Sequence, residues 1–597
     1  MSVSGRRSDA RPDPGQLRAA YAPRMLRCLV ALALVTACTT HAPKTSTITS
    51  DDQPERFEDL AYFVANHLYR TDPAEAVSLG LHKYDGQLPD RTPAALEDER
   101  KLLEHDRDAL AKFSTKQMTA LQDDERDVLL AELGGRLFRL VELDAYRTNP
   151  MAYSGAIDLD AYILRDYAPA FARAAAVIKL CNGLPAYLAQ ARTNLQLPMP
   201  RPWIDTALLQ AKGLAEFADH DVRQAFGITD IPLANQAEID PALDRCKAAL
   251  TEHAAWLAKQ QAQGTQSFRL GAPKFLKMLA DTQGVTIDLG RLQALADADL
   301  RRNLAALDEA ARAIDPTKTT AEVVAMVEKD RPTATEVLGV ATAQTKMLRQ
   351  FLVDNKLVSI PGTEDAIVKE SPPYQRWNAA FMDGPGVFET KQLPSFYYIS
   401  PPDPTWPAAD QATYIPARPD LLFTTIHEVY PGHYLHGLHI KTNTSRILQS
   451  FRTYSTSEGW AHYTEEMMFD AGVGGQTPQL RIGMLKEALL RNVRFVVTLG
   501  LHTGTLSIED ATKLFSEKAF VDAGNARQQA VRGTFDPMYL AYTLGKLMIR
   551  NLRAEWMKAH PGATLGEFHD AFLSHAAAPI PVIRRAMLGP AATGSPF

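Results

Sequence analysis

Residues 421–440 read LLFTTIHEVYPGHYLHGLHI, with four histidines and one glutamate in a segment that is otherwise mainly apolar. The chain holds only 15 His in 597 residues, so four within thirteen positions is an enrichment that core packing does not explain. His427-Glu428 opens like the zinc-protease signature H-E-x-x-H, in which two His one helical turn apart hold the metal and the Glu acts on water. Here the second His is displaced: position 431 is Pro, and the next His is His433. On an unbroken helix a six-residue step turns about 240°, which would aim His427 and His433 to different sides. Pro431 supplies the break that a shared ion requires, since it has no N–H for the carbonyl of His427, and Gly432 tolerates unusual dihedrals. His436 and His439 follow at helical steps as supporting, surface or alternative ligands.

A zinc site with two His normally takes a third protein ligand and leaves a position for water. The preferred candidate is Glu458, in Thr456-Ser457-Glu458-Gly459-Trp460-Ala461-His462-Tyr463, 25 residues after His433. In glutamate-ligand zinc peptidases the third ligand comes from a following helix after a connection of about this size. Glu458 also starts an apolar run in which a carboxylate without a cation is costly to bury. His462, Glu465 and Glu466 are its rivals.

The elements that must position these groups are mostly helical. Leu129, Leu130, Leu133, Leu137, Leu140 and Val141 fall at three- and four-residue steps, and Leu485, Leu489, Val493, Val496 and Leu499 repeat the pattern. Gln392–Ser400 (QLPSFYYIS) breaks the habit and reads as a short strand, at a sheet edge because of Pro394.

Composition sets the outer bounds. At 46% hydrophobic and 22% charged with 4 Cys, the chain is neither disordered nor collagen-like nor a disulfide-built scaffold. Its formal charge of -6 lacks the basic excess that nucleic-acid binding requires, so no such partner is expected. Its length exceeds one usual core, which implies two domains or one large domain split into lobes around a cleft.

At the N-terminus, Arg24 and Arg27 precede an apolar run from Cys28 to Ala37, short of the roughly 20 residues a spanning helix needs, and it fits a signal peptide. Val35-Thr36-Ala37-Cys38 resembles the bacterial lipoprotein box, with cleavage before a lipidated Cys38; an ordinary secretory signal is the alternative, and translation starting at Met25 fits it better than Met1. Residues 1–37 are then signal, 38–55 a flexible tether and 56–590 one large domain, with an N-terminal lobe over about 56–350 and a metal-bearing lobe over about 351–590. Loss of six Arg and two Asp with the signal moves the charge from -6 to -10. This places the protein in the bacterial cell envelope, exported and lipid-anchored to a membrane, at the outer membrane or periplasm in a Gram-negative cell. Cys181 and Cys246 either pair there or stay separate buried thiols.

Together H-E-x-x-P-G-H and E-G-W-x-x-Y resemble the family catalogued as domain of unknown function 885, large helical proteins regarded as zinc-metallopeptidase-like. Asp72-Pro73, Gly80-x-His82-x-Tyr84-Asp85, Leu88-Pro89-Asp90, Tyr397-Tyr398, Arg494, Gly500-Leu501-His502, Arg532, Pro537 and Tyr542-x-x-Gly545-Lys546 agree with it, from about Phe57 to about Leu588. Thr498, where an acidic residue is expected, and Asp536-Pro537-Met538 depart from the pattern. The resemblance implies a mainly α, two-lobed fold around a deep channel, with a small β-sheet beside the zinc-binding helix. It also implies hydrolysis of peptides, of oligopeptidase or carboxypeptidase type, at one Zn²⁺ on His427, His433 and Glu458, with Glu428 as general base. Tyr542 or Tyr398 is the candidate donor to the tetrahedral intermediate, Arg532 or Lys546 the candidate holder of a substrate carboxylate, and the strand at Tyr397 a candidate pairing edge for substrate backbone. A lipid-anchored scaffold with a structural zinc and a zinc amidase acting on cell-wall peptides are the alternatives.

Overall fold

The computed structural model describes residues 56–597 apart from 115, 117, 228–232, 373–374, 377–378, 404, 408–410, 412 and 593–595. The signal, Cys38 and the whole tether therefore lie outside the described residues. Helices dominate, as the periodicity implies. Leu485, Leu489, Val493 and Leu499 are buried along one helix, and Leu129, Leu133 and Leu137 along another. Val141 is the exception at 47% exposed, because the backbone widens into a π-turn over Phe138–Glu142 and shifts the phase of the apolar face. No helix among the described residues is long and apolar enough to cross a membrane.

Helices α1 (Ala170–Asn194) and α2 (Leu233–Gln260) carry much of a core drawn from residues 77–257. Within it Cys181 and Cys246 form a disulfide across the two helices, which settles the open choice in favour of pairing. The largest core runs from Phe57 to Ile583 and takes apolar residues from both sides of residue 350. The smaller core is confined to the N-terminal side of that position.

After α3 (Leu289–Ile314) come three strands, β1 (Ile367–Glu370), β2 (Ala380–Asp383) and β3 (Phe396–Ile399), in the order β1-β3-β2. β3 pairs parallel with β1 and antiparallel with β2, so the strand read as an edge is the central one. Pro394 falls two residues before the strand begins and removes no ladder hydrogen bond.

The chemistry-bearing segment is α4 (Arg418–Glu428) and α5 (His433–Thr442). Pro419 sits in the first turn of α4, where a missing N–H costs nothing. The helix stops at Glu428, and Gly432 closes the turn with its N–H on Ile426 O at 3.0 Å. A Cβ on Gly432 would lie 1.7 Å from the His427 carbonyl oxygen, so only glycine fits. The break inferred from Pro431-Gly432 is present.

Helices α6 (Tyr454–Asp470), α7 (Pro478–Thr503), α8 (Ala523–Arg532) and α9 (Ala541–Ala559) complete the surroundings. Where α6 crosses α9, Gly459 faces Gly545: a Cβ on Gly545 would stand 1.9 Å from Ser455 O, and one on Gly459 2.5 Å from Gly545 Cα. This backbone-to-backbone approach sets Glu458 and Tyr542 into the same neighbourhood.

Candidate metal centre

His427 lies in the last turn of α4, His433 begins α5, and the turn between them brings their rings perpendicular with centroids 4.8 Å apart. Glu458, in the second turn of α6, aims Oε2 between them, 3.5 Å from His427 Nε2 and 3.4 Å from His433 Nε2. These separations exceed the 2.7–3.2 Å of a hydrogen bond. They match the spacing of about 3.4 Å between ligand atoms set tetrahedrally at roughly 2.1 Å from one ion. Glu458 Oε2 is also buried without a hydrogen-bond partner among the described residues. A convergent, unsatisfied carboxylate oxygen between two imidazole nitrogens is a donor set that fits zinc.

Behind His427 the ring is fixed. Its Nδ1 donates to Glu465 Oε1 at 2.7 Å, and Glu465 in turn receives His462 Nδ1 at 3.2 Å and faces Arg491 Nη2 at 3.4 Å. Glu465 is therefore not the third ligand but the carboxylate that orients one. Burial acts to lower the His427 pKa, yet Glu458 and Glu465 outweigh it and raise it to about 9. Burial acts to raise the Glu458 carboxyl, and the charges of His433 and His427 hold it well below the ordinary range.

Glu428 stands beside the pair, its carboxylate grouped with the two imidazoles within 4.8 Å. Its Oε2 accepts the Met382 N–H of β2 at 2.9 Å, so the sheet fixes this carboxylate beside the two imidazoles. Tyr542 stacks along His427, ring centroids 6.1 Å apart, and burial followed by the Glu458 charge raises its pKa.

Several assignments need correction. Tyr398 turns to the face of β3 opposite Tyr397: its ring packs on Phe381 and Phe396, and its charged neighbours are Asp383, Arg165 and Asp160. Tyr397 is fully buried with its hydroxyl 3.3 Å from Thr425 Oγ1 of α4, and β3, paired on both sides, offers no edge to a substrate. Lys546 is also fully buried, its Nζ 2.9 Å from Asp299 Oδ2 and 3.8 Å from Glu466 Oε2, so it holds α9 to α3 and α6 rather than a substrate. Glu466, with Arg302 and Arg550 as further partners, belongs to that cluster and not to the metal. Arg532 is already paired with Asp536 at 2.8 Å. His436 is buried on the Ala576 carbonyl with its pKa pushed down to about 3 by burial, His439 bonds Ser359 O, and His502 bonds Gly533 O.

Sequence reasoning missed the supporting role of Glu465, the Met382 N–H and the aromatic and cationic group around Tyr542. The first had a readable signal: Glu465 lies seven residues after Glu458, two helical turns on the same face. A cavity of about 870 Å³ opens at His433, lined also by Met382, Tyr434, Arg452 and Ser457. A second cavity of about 870 Å³, around Arg107, Lys277 and Arg585, has none of the clustered ligands.

The chain belongs to the family described as bacterial protein of unknown function (DUF885), whose model matches residues 73–587. It is similar in fold to a protein described as a putative lipoprotein of unknown function from Shewanella oneidensis, at 22% identity and a TM-score of 0.76, covering 89% of this chain and 100% of that one. A putative lipoprotein from Colwellia psychrerythraea is similar at 17% identity and a TM-score of 0.76, covering 89% and 98%. No curated protein matches the chain.

Proposed function

We propose that this protein is a zinc-dependent peptidase of the cell envelope, lipid-anchored through Cys38. The observation that carries the reading is the pair of 3.4 and 3.5 Å separations between the unsatisfied Glu458 Oε2 and the two histidine Nε2 atoms. Zinc held by His427, His433 and Glu458 would supply a Lewis acid and a water nucleophile usable near neutral pH. Glu428, steered by Met382 N–H, takes the proton of the attacking water and passes it to the leaving amine. The Tyr542 hydroxyl is the donor available to the charge developing on the scissile carbonyl oxygen. Glu465 holds His427 in the tautomer that leaves Nε2 free to bind the metal. The cavity at His433 has the size of ligand-binding sites generally.

Two observations support the location. The similar solved structures are described as putative lipoproteins, and a buried disulfide fits an oxidising compartment.

Metal analysis and a mixed-peptide digest read by mass spectrometry test the reading. Wild type should carry one zinc and cleave, Glu428→Gln should keep the zinc with turnover reduced about 10²–10⁴-fold, and His427→Ala should lose both. Full turnover by Glu428→Gln would remove the general base from the scheme. Zinc bound tightly with no hydrolysis of any peptide or cell-wall fragment would leave the structural-zinc scaffold instead.

A further inference from the structure

On the side of the centre marked by Tyr542, α7 and α8 gather three guanidinium groups, and their charges are met unequally. Arg491 pairs with Glu487 and Glu465, and Arg532 with Asp536. Arg494 has no carboxylate within ion-pair distance among the described residues. Its Nε donates to Gln529 Oε1 at 3.0 Å, and its guanidinium lies over the rings of Tyr542 and Tyr539 at 5.0 and 5.7 Å. The residue is only 8% exposed. Burial first, and then the Arg532 and Arg491 charges, lower its pKa, which is the signature of a buried cation without a counter-ion. Two aromatic faces and one amide are weak compensation for a desolvated charge.

The position relative to the metal centre gives this vacancy a use. The Tyr542 ring lies 6.1 Å from the His427 ring and 5.0 Å from Arg494 Cζ, so the guanidinium is within about 11 Å of a metal ligand, at most about three extended residues of peptide. Tyr454 closes the group: its ring is 5.7 Å from that of Tyr542, and its hydroxyl accepts from Arg532 Nη2 at 3.0 Å.

We infer that Arg494 binds the free C-terminal carboxylate of the peptide substrate, so that the enzyme releases one to three residues from C-termini instead of cutting internally. The inference rests on the peptidase reading above and assigns its substrate class. Arg494 takes the role for which Arg532 and Lys546 were the candidates in the sequence. A guanidinium presents paired N–H donors to a carboxylate, and an interaction of this kind typically favours the free acid over a neutral amide by about 10–100-fold.

Matched peptides that end in a free carboxylate or a carboxamide provide the test. Wild type should cut the acid within three residues of its end and the amide at least about 10-fold less efficiently. Arg494→Met should raise KM for the acid about 10–100-fold, leave kcat within a few-fold and erase the preference, and Arg494→Lys should restore part of it. Internal cleavage, equal use of both peptides by wild type, or a preference that survives Arg494→Met overturns the inference. So does loss of the preference in Arg452→Met alone, since Arg452 is the guanidinium that lines the cavity at His433. If wild type cleaves nothing, the peptidase reading fails by itself, and the anchor is judged by melting temperature. An N-acetyl dipeptide acid, but not its amide, should then stabilise wild type and not Arg494→Met; equal shifts overturn it.

Discussion

Glu458 and Glu465 occupy one face of α6 two turns apart, and depth divides their work: one aims at two Nε2 atoms, the other fixes His427 from behind. Glu465→Gln should therefore keep the centre but weaken zinc about 10–100-fold in chelator competition, while Glu458→Gln, which removes a ligand, should cost more. Equal affinities in Glu465→Gln and wild type would deny Glu465 its orienting role. The convergence of His427 and His433 was legible because their spacing is wrong for a helix and Pro431-Gly432 corrects it. The two tyrosines of β3 were not. Period two says that Tyr397 and Tyr398 face opposite ways, but not which one faces the metal helix, and neither reaches the site as a substrate-binding group. Lys546 misled for a related reason: a Lys beside a motif tyrosine reads as exposed until its partner Asp299, 247 residues away in sequence, is seen.

At the scale of elements, the crossing of α6 and α9 at Gly459 and Gly545 holds the centre together. Gly545→Ala places a methyl group against Ser455 O and should lower stability by about 1–3 kcal/mol or more, read as a reduced urea midpoint, with a weaker zinc affinity because Glu458 is displaced. An unchanged midpoint would mean the helices part at no cost. The same helices are tied by Glu466, which meets Arg302, Arg550 and Lys546. Burial works against its charge, but Arg302 and Lys546 hold its carboxyl down to about 2 from 4.5. A depressed carboxyl stabilises the fold at pH above its unfolded value and loses that contribution as pH falls from about 4.5 toward 2. Glu466→Gln should thus melt below wild type at pH 7, by up to about 3 kcal/mol, with the gap closing through that acidic window. A gap independent of pH would assign the loss to packing. None of this was legible beforehand, because a glycine contact between distant helices leaves no periodic trace.

For the molecule as a whole, helical periodicity sufficed to foresee a mainly α fold, while the small sheet was foreseen from one aromatic strand and from the family resemblance. The likeness to the Shewanella protein at 22% identity shows how little of the sequence that architecture requires. The expected lobes rested on length and on the family resemblance, and neither says where apolar faces meet; the main core joins residues from Phe57 to Ile583. The disulfide closes a separation of 65 residues within the other core, for which chain entropy gives about 4 kcal/mol. Replacing both Cys181 and Cys246 by Ala should lower stability by about 2–4 kcal/mol in denaturant titration while leaving peptide turnover unchanged, as neither touches the metal centre. Lost turnover at full zinc occupancy would tie the two regions together.

Gly432 carries a consequence for reading genomes. Because any side chain there would strike the carbonyl of the first histidine, that one position can serve as a filter across related chains. A homologue that keeps both histidines and both glutamates but replaces this glycine is expected to be a degenerate copy, folded yet unable to assemble the ligand set. Such chains would be natural controls, separating whatever the scaffold does alone from what its chemistry does.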